Sequence, residues 1–292
     1  MAAYKIFTDS GCDIPKKTLT EWGVGSCSLT YTLTDSKTGE SDGHIYLSEE
    51  LPYSEFYQKM RDGFIPKTAA PASELFYESF KEVLDSGADV IHLAMSSAIS
   101  GSYNSARDAA ARLEPLYPER RIIVIDTLCA SAGEGLLVYL TSVRKSAGAT
   151  LEEAEKFVHE EMGRIAHWFT VDDLTYLKRG GRISPAAAFV GGVLGIRPVL
   201  HVNDAGALEN VEKVRGRRAS LTAMAKRYAD TVTDRSLPVI ITNADTPEDG
   251  EFLRKEILKA GAENVMTFDH GPTTGAHAGP GTIALFFEAS VR

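Results

Sequence analysis

The sequence predicts an α/β protein of two domains, the first with a parallel sheet flanked by helices and the second with a mixed sheet. Three observations lead there. Between residues 5 and 166, short apolar runs alternate with amphipathic segments of helical spacing, as crossovers onto a parallel sheet require. Past about His167 that rhythm changes, and Asn203-Asp204-Ala205-Gly206 separates two strand-like runs as a hairpin turn does. Finally, 292 residues with 43% apolar and 24% charged content supply enough core for two such units, placed at residues 1–166 and 167–292.

The elements follow in order. Lys5 to Thr8 reads as a buried strand ending in Asp9-Ser10-Gly11, and Pro15 suits the first turn of a helix, where its missing N–H has no partner to lose. Ser28 to Leu33 alternates like a strand, and the polar, Gly-bearing stretch Thr34 to His44 reads as a loop. Ser73 is placed to cap a helix in which Phe76, Phe80, Val83 and Leu84 share a face and which Gly87 stops. Val90 to Met95 is a strand, Tyr103 to Leu113 a helix, Ile122 to Ile125 a strand and Ala132 to Ser146 a helix; Thr150 with Glu153 forms a capping box for another. In the second half, the charged, Gly-rich segment Asp173 to Pro185 reads as a loop. Pro198 to Val202 and Leu208 to Val214 form the hairpin arms. A helix (Arg218 to Thr233), a strand (Val239 to Asn243) and a helix (Glu248 to Ala260) come next. Two strands, Val265 to Phe268 and Thr282 to Phe287, then flank the Gly- and Pro-rich loop His270 to Gly281.

Composition and motifs exclude several functions. A net charge of −9 argues against general nucleic-acid binding. There is no Walker loop and no Gly-x-Gly-x-x-Gly after a strand; Gly191 to Gly195 lacks that context. Absence of His-Glu-x-x-His or Cys-x-x-Cys predicts no metal, and no cofactor is expected. Three cysteines without metal-like spacing, and a start that enters a strand at once, point to the cytoplasm. The apolar run Ala186 to Leu194 is too short to span a bilayer.

Two arrangements carry chemistry. Three loops rich in small or hydroxyl residues lie at strand ends, where open α/β sheets bind ligands: Lys67 to Ser73, Ser96 to Asn104, and the loop holding His277. Thr68, Ser96, Ser97, Ser100 and His277 together suit a small anionic group. The turn Ile125 to Gly133 comes near a nucleophile elbow, but Cys129 stands where the first Gly belongs. The alternative reading is thus a serine hydrolase of acyl esters, acting through Ser131, or through Ser97 with His277. Leu177 to Ser184 and Lys213 to Arg218 are basic clusters fit to dock an anionic surface or a phosphorylated partner.

Taken together, the segments Thr8-Asp9-Ser10, Asp13-Ile14-Pro15, Ser96 to Ala106, Asp126-Thr127, Ala130 to Gly135, Leu177 to Ser184, Ile196 to Leu200, Lys213 to Arg217 and Gly275 to Gly281 resemble the DegV family of bacterial fatty-acid-binding proteins. The resemblance covers nearly the whole chain. It implies two α/β domains, with a long-chain fatty acid tunnelled into the first and its carboxylate near the junction. The carboxylate would be held by Thr68, Ser97 (or Ser96) and His277, with His277 contributing most if protonated. Ala69, Ala70 and Ala72 stand where the family has polar residues. The resemblance further implies a carrier with no catalytic centre, which presents the acid to an ATP-dependent fatty acid kinase. That kinase would make the acyl phosphate for phospholipid synthesis and dock on Lys178, Arg179 and above all Arg182. A transient membrane-surface contact is the other expectation for a basic face.

Overall fold

The computed structural model describes residues 3–184 and 195–292; the apolar run Ala186 to Leu194 and Gly191 to Leu194 lie outside the described residues. The chain runs β1 (Tyr4–Asp9), α1 (Lys16–Glu21), β2 (Val24–Cys27), β3 (Thr30–Asp35), β4 (Tyr46–Leu47), α2 (Tyr53–Arg61), β5 (Phe64–Ala69), α3 (Ser73–Asp85), β6 (Asp89–Ala94), α4 (Ser102–Leu113), β7 (Ile122–Asp126), α5 (Ala132–Ser146) and α6 (Leu151–Glu161). It continues through β8 (Ile165–Thr170), α7 (Thr175–Arg179), β9 (Ile196–Val202), β10 (Leu208–Arg215), α8 (Arg217–Thr231), β11 (Val239–Asn243), α9 (Pro247–Lys259), β12 (Val265–Asp269), α10 (Pro272–Ala278) and β13 (Ile283–Glu288).

β2, β1, β6 and β7 form a parallel sheet in that order. Neighbouring residues on β1 serve opposite faces, as a period of two demands. Ile6 packs with Ile91, Leu93 and α5, whereas Phe7 packs with Phe76, Phe80, Ala106 and Leu113 from α3 and α4. The second sheet is mixed, ordered β10-β9-β8-β13-β11-β12, with only β11 and β12 parallel. Its outer face packs Trp168, Ile241, Leu285 and Phe287 against Leu221, Met224, Tyr228, Leu253 and Ile257 of α8 and α9. Its inner face shares α5 with the parallel sheet: Leu136, Leu137 and Val138 join Ile6 and Ile91 on one side to Phe169, Ile240 and Phe286 on the other. A helix caught between two sheets must be apolar all round, and α5 buries nine residues.

Four expectations need correction. A third, antiparallel sheet, β4-β3-β5, was not foreseen, and Thr68 sits on its edge strand β5 rather than in a loop. The segment His270 to Gly281 is not all loop but contains α10, with Pro272 at its first turn. Asp173 to Pro185 likewise contains α7. Ala72, not Ser73, is the N-cap of α3; the Ser73 hydroxyl donates to Asp108 on α4 instead. The capping box at Thr150 and Glu153 forms as expected, each side chain accepting the other residue's backbone N–H.

Candidate functional site

Between the C-terminal edge of the parallel sheet and the inner face of the mixed sheet lies a cavity that is open to solvent. Its wall is largely apolar, with Leu29, Met95, Ile99, Phe169, Val202 and Phe286 among its residues. The resemblance implies a ligand tunnelled into the first domain; this cavity instead draws its wall from both sides of the junction. At its mouth, Thr68 Oγ1 and His277 Nε2 are 2.8 Å apart. A second, outer depression shares Thr68, His277 and Arg182 with the cavity and adds Lys67, Tyr176 and Arg179. The pair therefore stands between an interior apolar space and a basic surface.

His277 lies in the last turn of α10. Gly180, at the end of α7, makes its position possible: a Cβ built there would overlap Nδ1 and come within 3.2 Å of two further ring atoms. Burial and the neighbouring Arg182 charge lower the His277 pKa to about 4. The imidazole is thus neutral at neutral pH, so the condition under which His277 would contribute most, a protonated ring, is not met there. The cation at the mouth is Arg182. It is half-buried, with Nε donating to the Ile99 carbonyl at 3.1 Å and Nη1 to the Gly180 carbonyl. Among the described residues it has no carboxylate partner.

The other end of α10 is held by Asp13. Its carboxylate accepts from the Gly271 N–H at 3.1 Å, from Thr274 Oγ1 at 2.8 Å and from the Ser131 hydroxyl. Burial outweighs these bonds and pushes the carboxyl up to about 7. Gly275 completes the seat of the helix: a side chain there would strike the Tyr57 ring, whose hydroxyl donates to the His270 carbonyl at 2.6 Å. Ser131 lies on the cavity wall at φ 52°, ψ −145°, a backbone outlier like those found at catalytic turns. Its partner is nevertheless wrong for a nucleophile. The hydroxyl donates to Asp13 Oδ2, and His270 Nδ1 lies 3.4 Å from that same oxygen, so the acid rather than the imidazole is the serine's partner. A serine activated by an imidazole needs the histidine between serine and acid.

The remaining expected residues scatter. Ser96 is fully buried but off the cavity wall, its hydroxyl donating to the Gly206 carbonyl at 2.9 Å, which ties this loop to the β9–β10 turn. Ser97 is exposed, its N–H bonded to Asp126, and it does not meet His277. Ser100 lies on the wall in their place. Arg179 lines the outer depression, while Lys178 is exposed and lines neither space. Sequence reasoning missed Asp13, Thr273 and Thr274 as wall or support residues; Pro272, marking a helix start, was the one signal that these side chains belong to a helix. Among the described residues no group of three His, Cys, Asp or Glu could hold a metal, and no helix is long and apolar enough to cross a membrane.

Two sheets sharing one helix thus enclose an apolar cavity that opens at a Thr–His pair, a space whose lining suits an apolar ligand with a polar head. The model of the DegV family, itself described as uncharacterised, matches residues 3–290, and the chain belongs to that family. A DegV domain-containing protein of Clostridium perfringens is 36% identical over 289 residues, covering 98% of each chain. A DegV lipid-binding protein from Thermotoga maritima superposes with a TM-score of 0.84 at 30% identity, covering 99% of both chains. A DegV protein from Thermus thermophilus, solved as a fatty-acid-binding protein, gives 0.87 at 28% identity, covering 99% of this chain and 100% of the other.

Proposed function

We propose that this protein is a carrier for a long-chain fatty acid, held in the cavity between the sheets with its carboxylate at Thr68 and His277 under Arg182. The observation that carries the reading is the hydrogen-bonded Thr68–His277 pair at the mouth of an apolar cavity, beside a guanidinium with no carboxylate partner among the described residues. A carboxylate leaving water needs donors for its lone pairs: a neutral imidazole that donates to Thr68 leaves the threonine hydroxyl free to donate, and Arg182 supplies the rest. Fatty-acid and lipid binding by the two solved relatives supports it. Each buried methylene contributes about 0.8 kcal/mol, so roughly 14 give a gross gain near 11 kcal/mol, much of it offset by association and ordering.

In the finer reading the outer basic depression, with Arg182 and Arg179 on its wall and Lys178 nearby, receives an ATP-dependent kinase. That partner phosphorylates the presented carboxylate for phospholipid synthesis, and this chain does no chemistry itself. Of the serines expected at the head group, neither Ser96 nor Ser97 is needed in this arrangement. Titration with saturated acids of increasing length tests the carrier reading. Affinity rises with length until the cavity is full, and His277→Ala with Thr68→Val weakens it. Equal affinity for short and long acids, or no effect of the double variant, refutes it. Arg179→Ala, which touches only the outer depression, tests the finer step: it retains bound acid but loses acyl-phosphate formation with a fatty acid kinase, whereas phosphorylation at the native rate removes the docking role.

A further inference from the structure

Six hydroxyl side chains line the cavity: Thr68, Ser100, Ser131, Thr273, Thr274 and Thr282. Five are engaged. Thr68 pairs with His277, Ser100 accepts the Ser102 N–H, Ser131 and Thr274 bond to Asp13, and Thr282 donates to the Ala278 and Gly279 carbonyls. Thr273 is the exception. It is 3% exposed, and its Oγ1 is buried with no hydrogen-bond partner among the described residues. Buried hydroxyls are seldom left so, because an unpaired one carries its full desolvation penalty. A plain hydrocarbon chain passing Thr273 would do nothing to relieve it.

Thr273 and His277 are separated by one turn of α10 and so share a face of the helix. Resting on the carboxylate position proposed above, we infer that the cavity is built for a fatty acid with a second polar group near its head. That group is a hydroxyl on about the third to fifth carbon, as the spacing of roughly 5–6 Å between side chains four residues apart implies. It bonds to Thr273 while the carboxylate occupies Thr68 and His277. A hydroxyl fits better than a charged group, because Thr273 can donate to it or accept from it without importing a second charge into an apolar wall.

The test compares palmitate with palmitates hydroxylated at successive carbons from the second onward, and with one hydroxylated near the methyl end. Each is titrated into wild type and into Thr273→Val, which keeps the side chain's shape and removes the hydroxyl. Thermal melting of both proteins verifies folding. The expected result is a preference of about tenfold in the wild type for one near-head hydroxy acid over palmitate. In Thr273→Val that preference disappears and palmitate binds as tightly as before or tighter. Palmitate binding equal to that of every hydroxy acid, or a preference that survives Thr273→Val, overturns the inference while leaving the carrier reading intact. If the wild type binds none of these acids, both fall together.

Discussion

Replacing Gly180 with alanine is the sharpest probe of the head-group site, because backbone and site make opposite demands there. Gly180 has φ −70° and ψ −12°, right-handed helical values that any residue adopts. On backbone grounds alone, alanine should stabilise by about 0.4–1 kcal/mol through the unfolded chain. The new methyl, however, would overlap His277 Nδ1 and crowd two further ring atoms at 3.2 Å. Relief requires the imidazole to swing away, since α7 and α10 are packed on one another. The 2.8 Å bond to Thr68 is then lost, and with it the contact that orients the Thr68 hydroxyl in the proposed head-group site. Loss of one hydrogen bond to a charged group costs about 1.5–3 kcal/mol, or about ten- to a hundredfold in affinity. Isothermal titration with palmitate measures this, and thermal melting shows that the fold survives. A double-mutant cycle completes the argument: in a His277→Ala background the methyl has room, so Gly180→Ala should change affinity little. The reasoning is refuted if Gly180→Ala binds palmitate like wild type, or if it weakens binding equally with and without the imidazole.

Three further outcomes follow from the geometry. Asp13, buried and pushed up to about 7, keeps a proton in the folded state that the unfolded chain releases near its ordinary value. Its contribution to stability is therefore full at acid pH and lost as pH rises from about 4 to about 7, at roughly 1.4 kcal/mol per pH unit. Buried His92, His270 and His277, lowered to between about 3 and about 4, pull the other way. The quantity to follow is thus the difference between wild type and Asp13→Asn in urea unfolding at several pH values. It should decline as pH rises through that window, and a flat or rising difference contradicts the assignment. For the serines, Ser96→Ala should lower stability by about 1–3 kcal/mol by stranding the Gly206 carbonyl. Ser97→Ala should leave stability and palmitate affinity within about 0.5 kcal/mol of wild type; a large loss of affinity in Ser97→Ala would restore it to the head-group site.

The legible parts of the fold were those written in short-range patterns. Strands of alternating or continuous apolar residues, the capping box at Thr150 and the hairpin at Asn203 to Gly206 all depend on a few adjacent residues. Where local cues conflicted, the reading failed. Pro66 inside β5 argues against a strand, yet β5 is an edge strand, where a missing donor faces away from the ladder. The glycines of α10 read as loop because their reason lies elsewhere: Gly275 makes room for Tyr57, over two hundred positions earlier. The site divides in the same way. Thr68 and His277 were legible as polar residues in small-residue segments and do meet. Ser96 and Ser97 share that local chemistry, but one is claimed by the Gly206 carbonyl and the other faces solvent. Asp13's grip on α10 joins residues separated by 258 positions, which no local pattern encodes.

The position of β13 has a consequence for how the molecule is made. It lies in the middle of the mixed sheet, between β8 and β11, although every other strand of that sheet precedes it in the sequence. On the ribosome, then, β8 and β11 emerge with a gap between them, and the helix bearing His277 appears only just before the strand that fills it. The parallel sheet has all its strands by Asp126 and can form early, but the chamber wall cannot close until translation passes Glu288. Until then the cavity has its walls from the parallel-sheet side and from β8 to β10 but lacks Ala284 and Phe286. Closure of the cavity comes in one late step, together with completion of the sheet.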